Sequence, residues 1–409
     1  MTTTDDHSPT APSYPFDQPQ ALQPPPEWAE ARQGCPVAHV RMASGDVVGL
    51  VTGYDDARAV LSDPRFNRRL DKPGAAKTSN TEDGGLYSRE NETTSEMMGE
   101  GHRRYRRLLT SAFTVKKMEL WRPRIQEMTD ELLDDMLAKG GPVDLRTEFA
   151  LPLPVRVICA LVGAPASDQD RFSHWSEVMM TTTKYTQAEV DEALREFREY
   201  ASALVEEKRA DPQGDLISEL TQISDSEDGR LSHAELVQTV VGLLLAGHET
   251  TSNMIAKMTA LLLADRALYE AIVDDPSLVP GAVEESLRLD PVGGLGIPRF
   301  ITEDIEVGGE PVAAGTTLFV NLSAADRDER KFPDADRFDA RRANAQQHLA
   351  FSAGPRFCVG QTLARVELQV VLASFVRRLP ELRLRDDPAA LSIRTGVVAT
   401  GLDELWVTW

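Results

Sequence analysis

Ten residues near the C-terminal end, Phe351 to Gly360 (FSAGPRFCVG), carry the most specific chemical spacing in the chain. Phe351, Gly354, Arg356, Cys358 and Gly360 fall at F-x-x-G-x-R-x-C-x-G, and a helical pattern, QTLARVELQVVLASFVRRL, starts at the next residue. Gly354 and Gly360 let the backbone turn tightly around Cys358 and leave amide N–H groups bare. At a helix N-terminus those unpaired groups and the helix dipole favour an anion. A thiol of ordinary pKa, about 8.5, is drawn there toward thiolate. A thiolate in such a loop suits haem iron as an axial ligand, pushing electron density toward O–O cleavage. A lone cysteine in a glycine turn is more often a small core residue. Five positions matched together separate Cys358 from that case.

The elements that must position this loop lie upstream. Ser232 opens a long helix with a capping box, Glu235 standing three residues on. No proline follows until after Asp265, and at ~1.5 Å per residue the helix runs roughly 50 Å. It is apolar nearly all round (VVGLLLAG, MIAKMTALLLA) and is expected to be buried. Its one interruption is Ala246-Gly247-His248-Glu249-Thr250-Thr251. There a glycine and adjacent hydroxyls weaken the backbone ladder, and threonine can bond back four residues. Two further patterns are weak alone: His102 and Arg106, four apart and so on one helical face in GHRRYRRLLTSAF, and Glu285 and Arg288, spaced to pair on a helix.

Together these residues resemble the cytochrome P-450 family, the thiolate-haem monooxygenases, over nearly everything from Pro36 onward. Ser352 stands where many members carry glycine, and Arg356 where soluble bacterial members usually have histidine; a cation two residues before the cysteine still reaches a haem propionate. The resemblance implies haem b, ligated through Cys358 and seated on Phe351, Gly354 and Gly360. His102, Arg106, Arg299 and Arg356 are its expected propionate partners. Ala246, Gly247, Glu249 and Thr250 match A/G-G-x-D/E-T, implying a groove for the co-substrate dioxygen and a catalytic acid–alcohol pair that supplies protons. Glu285 and Arg288, joined by Arg337 of FPDADRF, are implied to brace the cysteine loop. The implied substrate pocket is lined by Leu243, Leu244, Gly293, Gly294, Gly296, Val397 and Val398, with Met179 and Met180 above. The implied fold is mainly α (α+β): one triangular domain over residues 25–409 with a long central helix and small β-sheets, after a flexible tail at 1–24.

Other segments read locally. A hairpin is expected over His39–Met42 and Val47–Val51, helices over Tyr54–Leu61, Gln126–Leu137 and Gln187–Lys208, and a hairpin over Gly308-Gly309 before a strand at Thr316–Asn321. Lys72–Gly101 reads as a surface loop, which the resemblance would lay over the substrate. Val178–Thr186 reads as a polar loop or, by the resemblance, the roof of the pocket. Thr395–Thr400 reads as a loop or strand tip reaching into it.

Composition narrows the partners. A formal charge of −21 over 409 residues argues against nucleic acid and anionic membrane surfaces. Three cysteines with no C-x-x-C spacing argue against a disulfide scaffold or zinc site and suit a reducing cytoplasm. The polar, proline-rich start lacks the pattern of a signal peptide or membrane anchor. Against this acidic background Arg103, Arg104, Arg107, Lys116 and Lys117 form a basic island which, with Arg365, is expected to face an acidic ferredoxin served by its reductase. The expected protein is a monomer that oxygenates a bulky, largely apolar small molecule such as a polyketide, macrolide-like or peptide-derived secondary metabolite. Oxidative coupling or ring closure on the same scaffold stays open, as does a non-catalytic haem sensor or recruitment module. The intact Glu249–Thr250 pair argues against the last. The glycines after Pro291 either widen the pocket or only turn the backbone.

Overall fold

The computed structural model describes residues 11–66, 70–79, 99–224 and 231–409. Most of the loop expected over Lys72–Gly101, from residue 80 to residue 98, lies outside them, as do the first ten residues.

A 32-residue helix, His233–Ala264, runs through the middle. It begins where its capping box says it must: Glu235 N donates to Ser232 Oγ at 3.2 Å and Ser232 N to Glu235 Oε2 at 2.6 Å. The other Glu235 oxygen accepts from Arg104 at 2.5 Å. Apolar on every side, the helix is wrapped by Pro152–Val162, Gln187–Ala210, Val279–Leu289 and Gln361–Arg378. It passes unbroken through Gly247 and Thr250, so the expected interruption is chemical and leaves the helix whole.

A second layer pairs Val115–Lys139 with Gln361–Arg378. Arg122 bonds Gln369 at 3.0 Å, Gln126 bonds Ser374 at 2.8 Å and Arg378 bonds Asp130 at 3.1 Å. The first of these helices starts eleven residues before the expected Gln126 and contains Pro123. An interior proline costs a helix about 3 kcal/mol, and here the buried Met118 and Ile125 on either side hold the helix to the core.

The main sheet orders its strands Ala38–Arg41, Val47–Val51, Thr317–Val320, Ile297–Phe300. Its parallel pair sets Leu50 against Phe319, both buried. A hairpin Ile305–Val307 and Glu310–Val312 turns over Gly308 and Gly309, at φ 59° and 88°. Met179 and Met180 end the helix Gln169–Met180, so the expected loop at Val178–Thr186 starts three residues late.

The N-terminal segment corrects the sequence reading. Residues 11–24 do not drape loosely, since Arg41 N donates to Pro12 O and Tyr14 N to Arg41 O, each at 2.8 Å. Polar, proline-rich composition suggests a tail, but the unpaired edge of the strand Ala38–Arg41 offers it a backbone partner. Among the described residues no helix is long and apolar enough to cross a membrane.

Candidate active site

The cysteine loop is folded on itself by backbone hydrogen bonds: Ser352 N to Leu349 O at 2.6 Å, Phe357 N to Gly354 O at 3.2 Å and Cys358 N to Phe351 O at 2.8 Å. Gly354 takes φ 70°, and a Cβ there would stand 2.4 Å from Ser62 Cα and 2.9 Å from Leu61 O. Only glycine fits. Ser352 holds φ 63° without being glycine, at a cost of roughly 1–2 kcal/mol. Gly360 caps Gln361–Arg378 with no side-chain bond, and its missing Cβ would lie 3.9 Å from Cys358 Sγ. The sulfur therefore sits at the positive end of that helix. Cys358 is exposed, whereas Cys35 is half-buried and Cys159 buried. Burial pushes the Cys159 thiol up to about 12, out of reach of thiolate chemistry near neutral pH.

Two guanidinium groups cover the loop's aromatic rings, Arg106 4.4 Å from the Phe357 centroid and Arg365 4.5 Å from that of Phe351. Arg365 is held by Glu284 at 2.7 Å, which also accepts from His348 Nε2 at 3.2 Å. His348 Nδ1 accepts from Ala350 N at 3.1 Å, so this ring is the neutral Nε2–H tautomer; burial lowers its pKa and agrees with that. For Glu284 burial alone would raise the pKa, but the bonds from His348 and Arg365 outweigh it and bring it down to about 2. Next to it, Glu285 and Arg288 form a fully buried ion pair with two bonds of 2.8 Å. The third member is Arg342, not Arg337. Arg342 Nε reaches Glu285 Oε1 at 2.9 Å, whereas Arg337 is 71% exposed and stands 3.7 Å from Asp339. The chain folds back after Arg337, whose carbonyl accepts from Arg342 Nη2 at 3.0 Å, and this return carries Arg342 inward.

The cations expected at haem propionates come from three elements around this loop. His102 and Arg106, on Gly99–Ala112, line a concavity of ≈ 540 Å³ together with Pro355 and Phe357. Arg356 lies in the short turn Gly354–Arg356. Arg299, buried in Ile297–Phe300, donates to Pro298 O at 2.9 Å and Leu61 O at 3.4 Å. Leu61 O is the same atom that a Cβ on Gly354 would crowd, which places Arg299 beside the cysteine loop.

On the central helix one strip is uncovered: Ala246 is exposed, and Gly242, Leu245 and Thr250 are half-exposed. Leu243 and Leu244 were both expected in the pocket, yet both are buried. At 3.6 residues per turn, Leu244 points roughly 200° away from Ala246. Gly247 likewise faces protein: a Cβ there would stand 2.8 Å from Ile158 Cγ1, so its smallness admits the helix Pro152–Val162. Thr250 Oγ1 donates to Ala246 O at 2.8 Å, the back-bond its position suggests. The Glu249 carboxylate is bound by Arg394 Nη1 at 2.5 Å. Nothing in the sequence marks Arg394 for this role.

A C-terminal hairpin brings Arg394 there, through an Ile393–Leu402 bridge and Arg394 N to Gly401 O at 2.9 Å. Its tip meets the end of Gln169–Met180: Val398 N donates to Met180 O and Thr182 N to Gly396 O, each at 2.8 Å. The two apolar segments expected at the pocket thus join, with Met180 and Val397 half-exposed while Met179 and Val398 turn inward. The three glycines each have neighbouring chain beside them. Their Cβ positions would lie 3.4 Å from Leu322 Cδ1 at Gly293, 1.9 Å from Thr400 Cγ2 at Gly294 and 2.8 Å from Val320 O at Gly296, whose φ is +88°. Gly294 and Gly296 make room for neighbouring chain, whereas at Gly293 a side chain would meet Leu322 at ordinary contact distance. Thr400 accepts from Lys257 at 3.0 Å, and Lys257 pairs with the buried Asp290 at 2.7 Å.

The cytochrome P-450 family model matches residues 169–389. The chain is 40% identical over 400 residues, 97% of its length and 98% of the relative's, to mycinamicin IV hydroxylase/epoxidase of Micromonospora griseorubida. It is also 40% identical over 413 residues, 100% of both chains, to nocardicin C N-oxygenase of Nocardia uniformis subsp. tsuyamanensis. The chain belongs to the cytochrome P-450 family. It shares its fold with the solved structure of a putative thioether synthase, SgvP, of griseoviridin tailoring: TM-score 0.91 at 36% identity, covering 98% of this chain and 100% of that one. As a cytochrome P-450 it is an oxidoreductase that incorporates oxygen, working with a haem iron and dioxygen.

The residues present fit that group. Among the described residues no cluster of three His, Cys, Asp or Glu could hold a metal ion. An iron ligated by one exposed sulfur must bring its other ligands with it, as in haem. Cys358 at the helix N-terminus and the cations His102, Arg106 and Arg299 around its loop are the donor set that a haem and its carboxylates need. In this cytochrome P-450 sequence reasoning missed Arg342, Arg394, and the Glu284–His348–Arg365 group. The first was signalled only by the arginine doublet Arg341-Arg342, and the last by Glu284 preceding the brace glutamate.

Proposed function

We propose that this cytochrome P-450 oxygenates a bulky, largely apolar secondary metabolite, polyketide-like or peptide-derived, using haem b with Cys358 as its protein ligand. The observation that carries the chemistry is the exposed Cys358 sulfur at a helix N-terminus. Haem iron, when bound, supplies dioxygen activation and oxygen transfer. His102, Arg106, Arg299 and Arg356 would hold its carboxylates by charge-assisted bonds. Thr250 holds a proton beside the uncovered strip, at present directed to Ala246 O. Glu249 stands behind it as the acid of the relay, with Arg394 keeping the carboxylate in place.

The substrate class rests on the wall and on the relatives. Met180 and Val397 bring adaptable apolar surface and no charge, and the two relatives named above are called a mycinamicin hydroxylase/epoxidase and a nocardicin N-oxygenase. Ring closure or coupling is the second reading, favoured by the likeness to the putative thioether synthase.

Electrons would come from a ferredoxin and its reductase, with the protein a cytoplasmic monomer. Arg103, Arg107 and Lys116 are exposed, and beside them stand the exposed apolar residues Val115 and Leu120, 65% and 72% accessible. A cationic rim around an apolar centre suits an acidic partner steered by charge. Four residues of the expected set are held by carboxylates, Arg103 by the exposed Glu100, Arg104 by Glu235, Lys117 by Glu219 and Arg365 by Glu284, which leaves Arg107 and Lys116 as its centre.

The test is a spectral titration of the ferric holoprotein with macrolactones, cyclic peptides and long-chain fatty acids. A high-spin shift with the first two classes, followed by a product carrying one atom from labelled dioxygen, is expected. A shift with fatty acids alone would overturn the substrate class, and a product that has lost two hydrogens without gaining oxygen would favour ring closure.

A further inference from the structure

Residues 11–24 carry no motif, yet one side chain from them reaches the turn Gly293–Gly296. Ser13 lies in parallel register with Arg41, and strand alternation sends the next residue inward. Tyr14 is buried, its ring edge-on to Phe16 at 5.3 Å and clustered with Leu295 and Phe319. The hydroxyl donates to Leu295 O at 3.1 Å, with Gly294 O at 3.4 Å sharing the same proton, and accepts from Asn321 Nδ2 at 3.0 Å. Asn321 is itself fixed: fully buried, it donates N–H to Val51 O at 3.0 Å and accepts from Ala324 N at 2.8 Å. Burial raises the phenol's pKa above its ordinary value and keeps it a donor.

The turn that Tyr14 holds spans Gly293–Gly296 and is closed by Gly296 N to Gly293 O at 2.8 Å. Its two central residues present their carbonyls to Tyr14. Across the turn stands Thr400 of the C-terminal hairpin, in contact with Gly294 and tied to Lys257 of the central helix. The turn is therefore gripped from both sides, by the N-terminal segment and by the central helix.

We propose that Tyr14 is a positioning residue for specificity: its hydroxyl sets where the Gly293–Gly296 turn stands against the C-terminal hairpin, and so sets the width of the pocket at that wall. This takes the turn as part of the substrate wall, in keeping with the function proposed above. A buried tyrosine that served packing alone would need its ring and not its hydroxyl.

Tyr14→Phe keeps the ring and removes only the hydroxyl. In the haem-loaded protein, hydrogen–deuterium exchange at the Gly296 amide should quicken roughly three- to tenfold, the worth of one lost hydrogen bond. Spectral titration with imidazole and with clotrimazole, a small and a bulky iron-binding azole, separates width from ligation. The imidazole Kd should hold while the clotrimazole Kd moves by roughly threefold or more. Unchanged exchange at Gly296 would overturn the grip itself. Faster exchange with both azole Kd values unchanged would overturn the turn's place in the substrate wall and leave the oxygenase chemistry standing. A loss of both azoles together would mark damage to the haem site and overturn a role confined to specificity.

Discussion

Replacing Arg342 with alanine should cost the fold several times more than the same change at Arg337. Arg342 is 8% exposed and makes four hydrogen bonds: to Glu285 Oε1 at 2.9 Å and to the carbonyls of Pro333 at 2.6 Å, Asp334 at 3.1 Å and Arg337 at 3.0 Å. Glu285 is fully buried and keeps Arg288 and the Asp339 amide when Arg342 is removed. Breaking a buried pair outright costs about 3–5 kcal/mol. With one cation remaining, the lower end, about 3 kcal/mol, applies. Among the described residues the Arg337 side chain pairs with Asp339 at 3.7 Å, both at the surface, and such a pair is worth at most about 1 kcal/mol. Against a total stability of about 5–15 kcal/mol, the Arg342 loss is a large share. Urea unfolding of the two variants checks it: with a slope near 3 kcal/mol per molar, the midpoint should fall by about 1 M in Arg342→Ala and hardly at all in Arg337→Ala. Haem content after purification should fall in the same order, because the brace adjoins the cysteine loop. Equal midpoints, or a larger loss at Arg337, would refute the reasoning.

Thr250→Ala should still bind substrate and consume reducing equivalents while releasing peroxide in place of product, and Arg394→Ala should lower product per electron pair in the same direction; unchanged coupling in both would move the relay elsewhere. Arg107→Glu should slow reduction by a ferredoxin and weaken its salt dependence, since exposed charges are screened beyond about 8 Å at physiological ionic strength; Arg104→Glu should instead destabilise the protein through Glu235. The Glu284 carboxyl, at about 2 in the fold against an ordinary 4.5, stabilises the fold fully above pH 4.5 and loses that contribution as the pH falls toward 2. Its worth is about 3 kcal/mol, so Glu284→Gln should be less stable at neutral pH and show a flatter acid-unfolding profile.

The parts legible in the sequence are those set by neighbours in the chain. Ser232 and Glu235 announce the central helix because a capping box is closed within three residues. The cysteine loop reads equally well, since its glycines answer to a local turn and to the helix that follows. Pairings made across the fold left no local trace. Arg394 meets Glu249 only because a hairpin near the C-terminus folds over the central helix, and Arg342 replaces Arg337 because the chain doubles back between them. Tyr14 sits in a segment whose composition suggests a tail. The glycines after Pro291 show the same limit in reverse: their presence is plain, but whether they border a ligand or neighbouring chain depends on Thr400, Leu322 and Val320, from distant parts of the sequence. Leu244 is buried for a simpler reason: it lies one helical turn before Gly247 and shares its face, and that face turns toward Ile158.

Ligation through Cys358 is tested most directly by the absorption spectrum of the reduced holoprotein under carbon monoxide. The wild type should show the strongly red-shifted Soret band of a thiolate-ligated haem, and Cys358→His should lose that band even where it still binds haem. A wild-type spectrum of imidazole type, or a red-shifted band that survives in Cys358→His, would contradict it.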